Sequence, residues 1–548
     1  MDIVSIGLGR DSDDLHPITF ELVRWRLRWM LPAAALLMVT AVFGLLAAAQ
    51  ADARAKGGRT EVIVQLRAGT SLSEGKALVR SLGGKVTRKL RIINGLGAVV
   101  SPAAADALER DARVRAVSAN AAVKSSGMSL STPSLLQTAF NQSVRAEKAW
   151  AKSVVGYGVG VAVVDTGIAG GHPDFRVSTS DPRSRVIASA VVNPNARNAG
   201  DSYGHGTHVA GLIAGNGNNR SGNDPYDADY VGTAPYANLI SVKVADEDGN
   251  ASLIDVIDGI QFAVEHKADY NIRVINLSLN SSVAESYKTD PLDAAVEEAW
   301  FSGIVVVTAA GNAGTADDAV SYAPANDPYV ITVGAVDDRN TDSTADDQLA
   351  SWSSRGLTQD GIRKPEVLAP GSQIVSTIAP GSAYTTMCPS CLVGNEYMRL
   401  GGTSMSTAVV SGVAADILQA RPLWTPDQVK GALMNTARDV PGVGVEPQTD
   451  VAMSLLTGDS RLRSNIGLAP STLIDPATGK IDMTKADWSR ASFRAADQLL
   501  SAGWSPLASW RCSICATVDG AATVDPNASW RASWRASWRA SWRTSFSK

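Results

Sequence analysis

The sequence predicts an α/β chain: a doubly wound, mostly parallel sheet flanked by helices, with a small α+β unit ahead of it. Three observations lead there. Four apolar runs are continuous, not alternating: Val161-Ala162-Val163-Val164, Leu239-Ile240-Ser241-Val242, Val274-Ile275-Asn276-Leu277 and Ile304-Val305-Val306-Val307. Strands buried on both faces read this way. Helical stretches fall between them, as at Leu253 to His266 and Asp290 to Trp300. Asp165 and Asn312 each follow such a strand, and sites in open α/β sheets gather at the carboxyl ends of strands.

The elements follow in chain order. Arg24, Arg26 and Arg28 lead into an apolar run from Trp29 to Ala49, with Ala49-Gln50-Ala51 and Ala51-Asp52-Ala53 as small-x-small cleavage candidates. This reads as an export signal, with an uncleaved anchor as the alternative. Thr60 to Val123 then alternates short elements. Val62 to Leu66 reads as a strand, Ser73 to Leu82 as a helix, Lys85 to Ile93 and Gly97 to Val100 as strands. Pro102 to Arg110 reads as a helix and Val114 to Val117 as a last strand. That β-α-β-β-α-β order is ferredoxin-like. The expected division is 1–51 for the N-terminal extension and signal, 58–124 for the small unit, 128–456 for the main α/β unit and 457–548 for a C-terminal extension.

A length of 548 residues exceeds one compact unit, and 45% hydrophobic content supplies a large core. The formal charge of −4 gives no case for nucleic acid as a partner.

Three motifs carry chemistry: Asp165-Thr166-Gly167, Gly204-His205-Gly206-Thr207-His208 and Gly402-Thr403-Ser404-Met405-Ser406. They supply an acid, an imidazole and a hydroxyl in the chain order Asp, His, Ser, one of the known orders for a serine nucleophile system. A serine hydroxyl needs a base to become a nucleophile, and an imidazole titrating near neutrality suits that task. An Asp-Thr-Gly also marks aspartic peptidases, but a single copy beside the other two motifs decides against that class. His208 at i+3 from His205 raises a metal pair, yet no third ligand is evident, so it reads as structural; so does His172.

These motifs resemble the subtilisin-like serine peptidases (subtilase family) over roughly Ala149 to Thr436. The resemblance implies a serine endopeptidase acting on protein or peptide substrates, with Ser404 as nucleophile, His205 as general base and Asp165 as its orienting acid. Asn312, in Ala309-Ala310-Gly311-Asn312, would be the oxyanion donor. Ser278-Leu279-Asn280, together with Gly249 and Asn250, resembles the segments that hold extended substrate. Asn280 replaces a glycine common in relatives, and its side chain is expected to narrow one subsite. Relatives usually continue the serine motif with Thr-Pro-His, where this chain has Thr407-Ala408-Val409. The small unit resembles an inhibitor-type propeptide, which implies self-cleavage between Val123 and Thr132 and the enzyme's own propeptide as intramolecular inhibitor.

No cofactor is needed for such chemistry. Calcium is common in relatives, and Asp224, Asp227 and Asp229 offer oxygen ligands, with a solvated loop as the equal alternative. Cys388, Cys391, Cys512 and Cys515 are disulfide candidates in an exported protein, their pairing open. The location implied is secreted or extracellular. Four Ala-Ser-Trp-Arg copies begin at Ala528, Ala532, Ala536 and Ala540. Their aromatic and basic groups suit membrane or cell-wall contact, hence envelope attachment; a removable tail is the alternative.

Overall fold

The computed structural model of the protein describes residues 58–125, 138–217 and 229–481. The export segment, Asp224, Asp227, Cys512, Cys515 and the Trp/Arg repeats lie outside them.

The small unit begins with β1 (Thr60–Leu66) and α1 (Leu72–Ser81). Ser71 accepts from the Glu74 amide and Glu74 returns a bond to the Ser71 amide, so the helix start is capped on both sides. β2 (Lys85–Leu90), β3 (Gly95–Val100), α2 (Pro102–Glu109) and β4 (Val114–Ala119) follow. The sheet order is β2-β3-β1-β4, all antiparallel. Leu78, Val79, Ala105 and Leu108 of the helices pack with Val62, Val64, Leu96 and Ala98 of the sheet. The expected strand to Ile93 stops earlier. Arg91–Ile93 form a 3-10 turn, closed by Asn94 at φ 43°, and Ile92 and Ile93 turn into the core of the main unit.

The main unit is a mostly parallel sheet. It holds β6 (Gly160–Asp165), β7 (Val186–Val191), β8 (Asn238–Lys243), β10 (Ile272–Leu277), β12 (Val305–Ala309), β13 (Ile331–Asp337) and β14 (Gln348–Leu349). Their order is β14-β13-β12-β10-β6-β8-β7, with the strand Val367–Pro370 also on β13. Only β14 runs antiparallel. The four apolar runs are the central strands, and every residue of β6 and β12 is buried. Helices α3 (His205–Ala214), α4 (Leu253–Glu265), α5 (Pro291–Phe301), α6 (Thr403–Ala420) and α7 (Pro426–Asn435) cover the sheet. Past Leu456 the chain stays on this unit: Leu462, Leu473 and Ile474 are buried, and the Ser471 amide donates to Glu297. Among the described residues no helix is long and apolar enough to cross a membrane.

The two units meet on α4. Arg88 lies 3.3 Å from Asp255 and 3.7 Å from Asp258. Arg91 makes a forked pair with Glu265 at 3.0 and 2.8 Å, and the Ile92 amide donates to Gln261 at 2.9 Å. From there the chain enters β5 (Ala122–Ser125), the middle strand of a small sheet between β9 (Ala251–Ser252) and β11 (Leu279–Ser281).

Candidate active site

Asp165 is the last residue of β6, so its carboxylate emerges at the carboxyl edge of the sheet. His205 opens α3. His205 Nδ1 and Asp165 Oδ1 are 2.7 Å apart, and both side chains are almost fully buried. The close approach requires Gly206, because a Cβ there would overlap the Gly167 carbonyl oxygen. A carboxylate held on one imidazole nitrogen fixes the tautomer and leaves the other nitrogen to accept a proton.

Asp201 locks this corner. Its Oδ1 accepts from Thr166 Oγ1 at 2.8 Å and from the Gly204 amide at 2.7 Å. Its Oδ2 accepts from the Thr207 amide at 2.8 Å and the Thr207 hydroxyl at 2.6 Å. Thr166 Oγ1 in turn accepts from the Gly206 amide at 2.9 Å. Burial raises the Asp201 carboxyl pKa, and these donors oppose the shift. On the other side, the ring of Tyr384 stands edge-on to His205, centroids 6.2 Å apart and planes at 90°.

Ser404 is the second residue of α6, as the glycine-led motif predicts. Its hydroxyl donates to the Ser278 carbonyl at 3.2 Å, and Ser278 Oγ donates to the Ser404 carbonyl at 3.0 Å. Ser278 is supported from below: Asn276 Nδ2 donates to its hydroxyl and Ser411 Oγ donates to Asn276 Oδ1, each at 2.9 Å. The missing proline leaves the helix continuous, with Thr407 Oγ1 bonded back to the Thr403 carbonyl at 2.7 Å.

Asn312 follows β12 through Gly311, whose φ of 101° favours glycine. Asn312 Oδ1 accepts from both the amide and the hydroxyl of Thr403, each at 3.1 Å. Thr403 Oγ1 also accepts from the Gly311 amide at 3.1 Å. With its oxygen engaged by Thr403, the planar Asn312 amide turns its nitrogen away from that residue.

The substrate-binding candidates divide by role. β11 runs antiparallel to β5, with Leu279 opposite Ser125, Asn280 opposite Lys124 and Ser281 opposite Val123. On the other side Ala122 faces Ser252 and Val123 faces Ala251. Gly249 and Asn250 form the turn entering β9, braced by Asp246 through the Asn250 amide at 2.8 Å. The Asn280 side chain, expected to narrow a subsite, has a protein partner of its own. It turns down and donates to the Ala309 carbonyl at 2.8 Å, buried beside the turn to Asn312. A polar side chain at a glycine site satisfies itself on the nearest buried carbonyl.

His208 is buried, and its Nε2 meets the Met398 carbonyl at 2.9 Å. Burial pushes its pKa down to about 3, so it stays neutral. His172 Nδ1 accepts from the Asp174 amide at 3.2 Å. Cys388 and Cys391 form a disulfide with each other, which selects the local pairing left open by the sequence. No group of three His, Cys, Asp or Glu residues among those described is arranged to hold a metal ion; Asp229 is described without its two neighbours in the acidic insert. Thr166, Asp201 and Thr403 carry much of this geometry without a role assigned from the motifs. The signal for two of them was available, since Thr166 and Thr403 directly adjoin Asp165 and Ser404.

The subtilase family model (peptidase S8) matches residues 156–457. The serine protease AprX of Bacillus subtilis (strain 168) is 39% identical over 368 residues, 66% of this chain and 78% of that protein. Subtilisin E from the same organism is 33% identical over 375 residues, 68% of this chain and 83% of that protein. The crystal structure of fervidolysin from Fervidobacterium pennivorans, a keratinolytic enzyme related to subtilisin, matches with a TM-score of 0.57 at 25% identity. That match covers 73% of this chain and 61% of the fervidolysin chain. A family match over more than half of the chain, on a parallel sheet with acid, imidazole and serine at one edge, places this protein in the subtilase family of serine endopeptidases.

Proposed function

We propose that this endopeptidase is exported as an inactive precursor and releases itself through the Asp165–His205–Ser404 system. In this reading His205 takes the Ser404 proton as the hydroxyl attacks a peptide carbonyl. Asp165 steadies the imidazolium without taking the proton. Asn312 Nδ2 and the Ser404 amide stabilise the oxyanion. His205 then protonates the leaving amine. No cofactor enters any step, and the acidic insert at Asp224, Asp227 and Asp229 is left to a structural role, as a solvated loop or a calcium site.

Substrates are protein segments held in extended form. The observation that supports this most directly is β5 itself: a strand of the chain pairs on both sides with β9 and β11, its last residue opposite Leu279, which adjoins Ser278, the acceptor of the Ser404 hydroxyl. Main-chain pairing of this kind binds extended peptide with little demand on sequence. The small unit of residues 60–119 then acts as propeptide and β5 as its inhibitory tail. Ser404 is fully buried in this state, as expected of a precursor whose cleft is filled. The export segment, the pair Cys512 and Cys515, and the basic aromatic repeats fit a secreted enzyme retained at an envelope or wall polymer.

The test is to express the chain without its export segment, as wild type and as Ser404→Ala, and to follow precursor mass. Wild type alone should lose the N-terminal unit. Because Ser125 is already opposite Leu279, the new N-terminus is expected within a residue or two, at Ser126 or Gly127. Equal cutting of both forms would assign the cleavage to another protease and end the self-processing reading.

A further inference from the structure

We propose that Asn280 is a positioning residue that ties the substrate-binding strand to the oxyanion turn, an inference that rests on the reading of Asn312 as oxyanion donor. Its two halves face two parts of the site. The main chain of Asn280 lies in β11, opposite Lys124 of the strand filling the cleft. The side chain reaches the other way, to the end of β12, where Nδ2 donates to the Ala309 carbonyl at 2.8 Å. A methyl built on Gly311 would lie only 3.4 Å from Asn280 Oδ1. Ala309, Gly311 and Asn312 form one short turn, and Asn280 therefore holds its near end.

The far end of that turn is held by other groups. The Gly311 amide donates to Thr403 Oγ1, and the Ser354 amide donates to the Gly311 carbonyl at 2.9 Å. Asn312 is gripped by Thr403. Without Asn280 the Ala309 carbonyl loses its side-chain donor inside the protein, and an unmet buried acceptor is costly enough to draw the backbone toward a new partner. Gly311, in its left-handed conformation, is the soft joint through which that shift reaches Asn312. Displacements well under 1 Å at an oxyanion donor matter, because the charge it meets exists only in the transition state. Asn280 thus acts on kcat through Asn312, while its main-chain pairing to substrate survives substitution.

The experiment measures kcat and KM on an extended peptide p-nitroanilide at pH 8, with rates expressed per titrated active site. The variants are Asn280→Gly, the isosteric Asn280→Asp, Asn312→Ala and Asn280→Gly combined with Asn312→Ala. Asn280→Gly should lower kcat about tenfold with KM within about twofold, a fraction of the roughly 10² to 10³ expected for Asn312→Ala. Asn280→Asp should lose at least as much, because it keeps the volume and removes the donor. In the Asn312→Ala background Asn280→Gly should change kcat by less than about twofold. Losses that multiply, or an Asn280→Asp variant that matches wild type, would overturn the coupling and leave the role of Asn312 intact. Wild-type rates in Asn312→Ala itself would overturn the oxyanion assignment, and this inference with it.

Discussion

Asp201 and Thr207 are bonded twice, by amide and hydroxyl to one carboxylate oxygen, within the first turn of the helix that begins with His205. The other oxygen of Asp201 holds Thr166, the residue after Asp165. One buried carboxylate thus sets the distance between the end of β6 and the start of α3. Asp201→Asn keeps the shape but replaces one acceptor with a donor facing donors. The expected result is a kcat lowered by about 10- to 100-fold with KM little changed, since misplacing a catalytic group by about 1 Å costs that much. Steady-state kinetics with a peptide anilide checks this; equal losses in kcat and in folded protein would leave Asp201 a purely structural residue.

Arg88 is the more buried of two charged links between the small unit and α4, and it faces Asp255 with both side chains nearly buried. Burial pushes the Asp255 carboxyl up to about 6, and Arg88 opposes that shift. Arg88→Ala leaves Asp255 covered and without that cation, although the Ser252 amide and hydroxyl still donate to it. Breaking such a pair costs about 3 kcal/mol, which is roughly a hundredfold in affinity. The cleaved N-terminal unit should then no longer co-purify with the mature enzyme, and active enzyme should appear sooner. Unchanged co-purification by gel filtration would show that β5 alone holds the complex.

The Cys388–Cys391 disulfide closes the segment that carries Tyr384 to His205. The Cys388 amide donates to the Tyr384 carbonyl at 3.0 Å, and the Tyr384 amide donates to the Tyr203 carbonyl at 3.1 Å. A loop this short gains about 2 kcal/mol from chain entropy. Replacing both cysteines by serine should lower the thermal midpoint by a few degrees and reduce kcat severalfold, with little effect on KM. A midpoint that falls while kcat holds would separate the disulfide from the histidine.

Asp338, Asp347 and Glu446 are buried and act on one another, and Arg438 is 2.8 Å from Glu446. Burial raises Asp338 and Asp347 to about 7, with Glu446 adding to the rise at Asp347. Arg438, Asp337 and Asp346 are the other charges acting on these acids. The folded state therefore keeps their protons to higher pH than the unfolded chain does. Their favourable contribution is complete below about pH 4 and is lost as pH rises towards 7. Asp347→Asn should flatten that decline. In a Ser404→Ala background, its urea midpoint relative to the unmutated Asp347 form should be higher at pH 8 than at pH 4.5. An equal difference at both pH values would rule out titration of this cluster as the cause.

Much of this was legible from residue order. Continuous apolar runs gave the buried parallel strands, because strands covered on both faces have no polar side to show. Ser101-Pro102, Asp290-Pro291 and Thr425-Pro426 each mark a helix start, since a capping side chain and a proline suit the first turn. The Asp165, His205 and Ser404 motifs stood out because glycine is required where backbones come close. The partner of Asn280 was not legible, for a physical reason. A sequence does not say on which side of a strand a side chain lies, so the Ala309 carbonyl could not be foreseen as its acceptor. Asp201 had no motif of its own.

The sequence by itself determined the α/β class, the carboxyl-edge placement of Asp165 and Asn312, and the family to which the chain belongs. Local periodicity and glycine spacing are written residue by residue. The tertiary structure alone decided that Asp165 meets His205 at 2.7 Å, that Asn280 serves the Ala309 carbonyl, and that β5 lies between β9 and β11. Each is a contact across tens to hundreds of residues, fixed by how the strands stack and not by any neighbour in the chain.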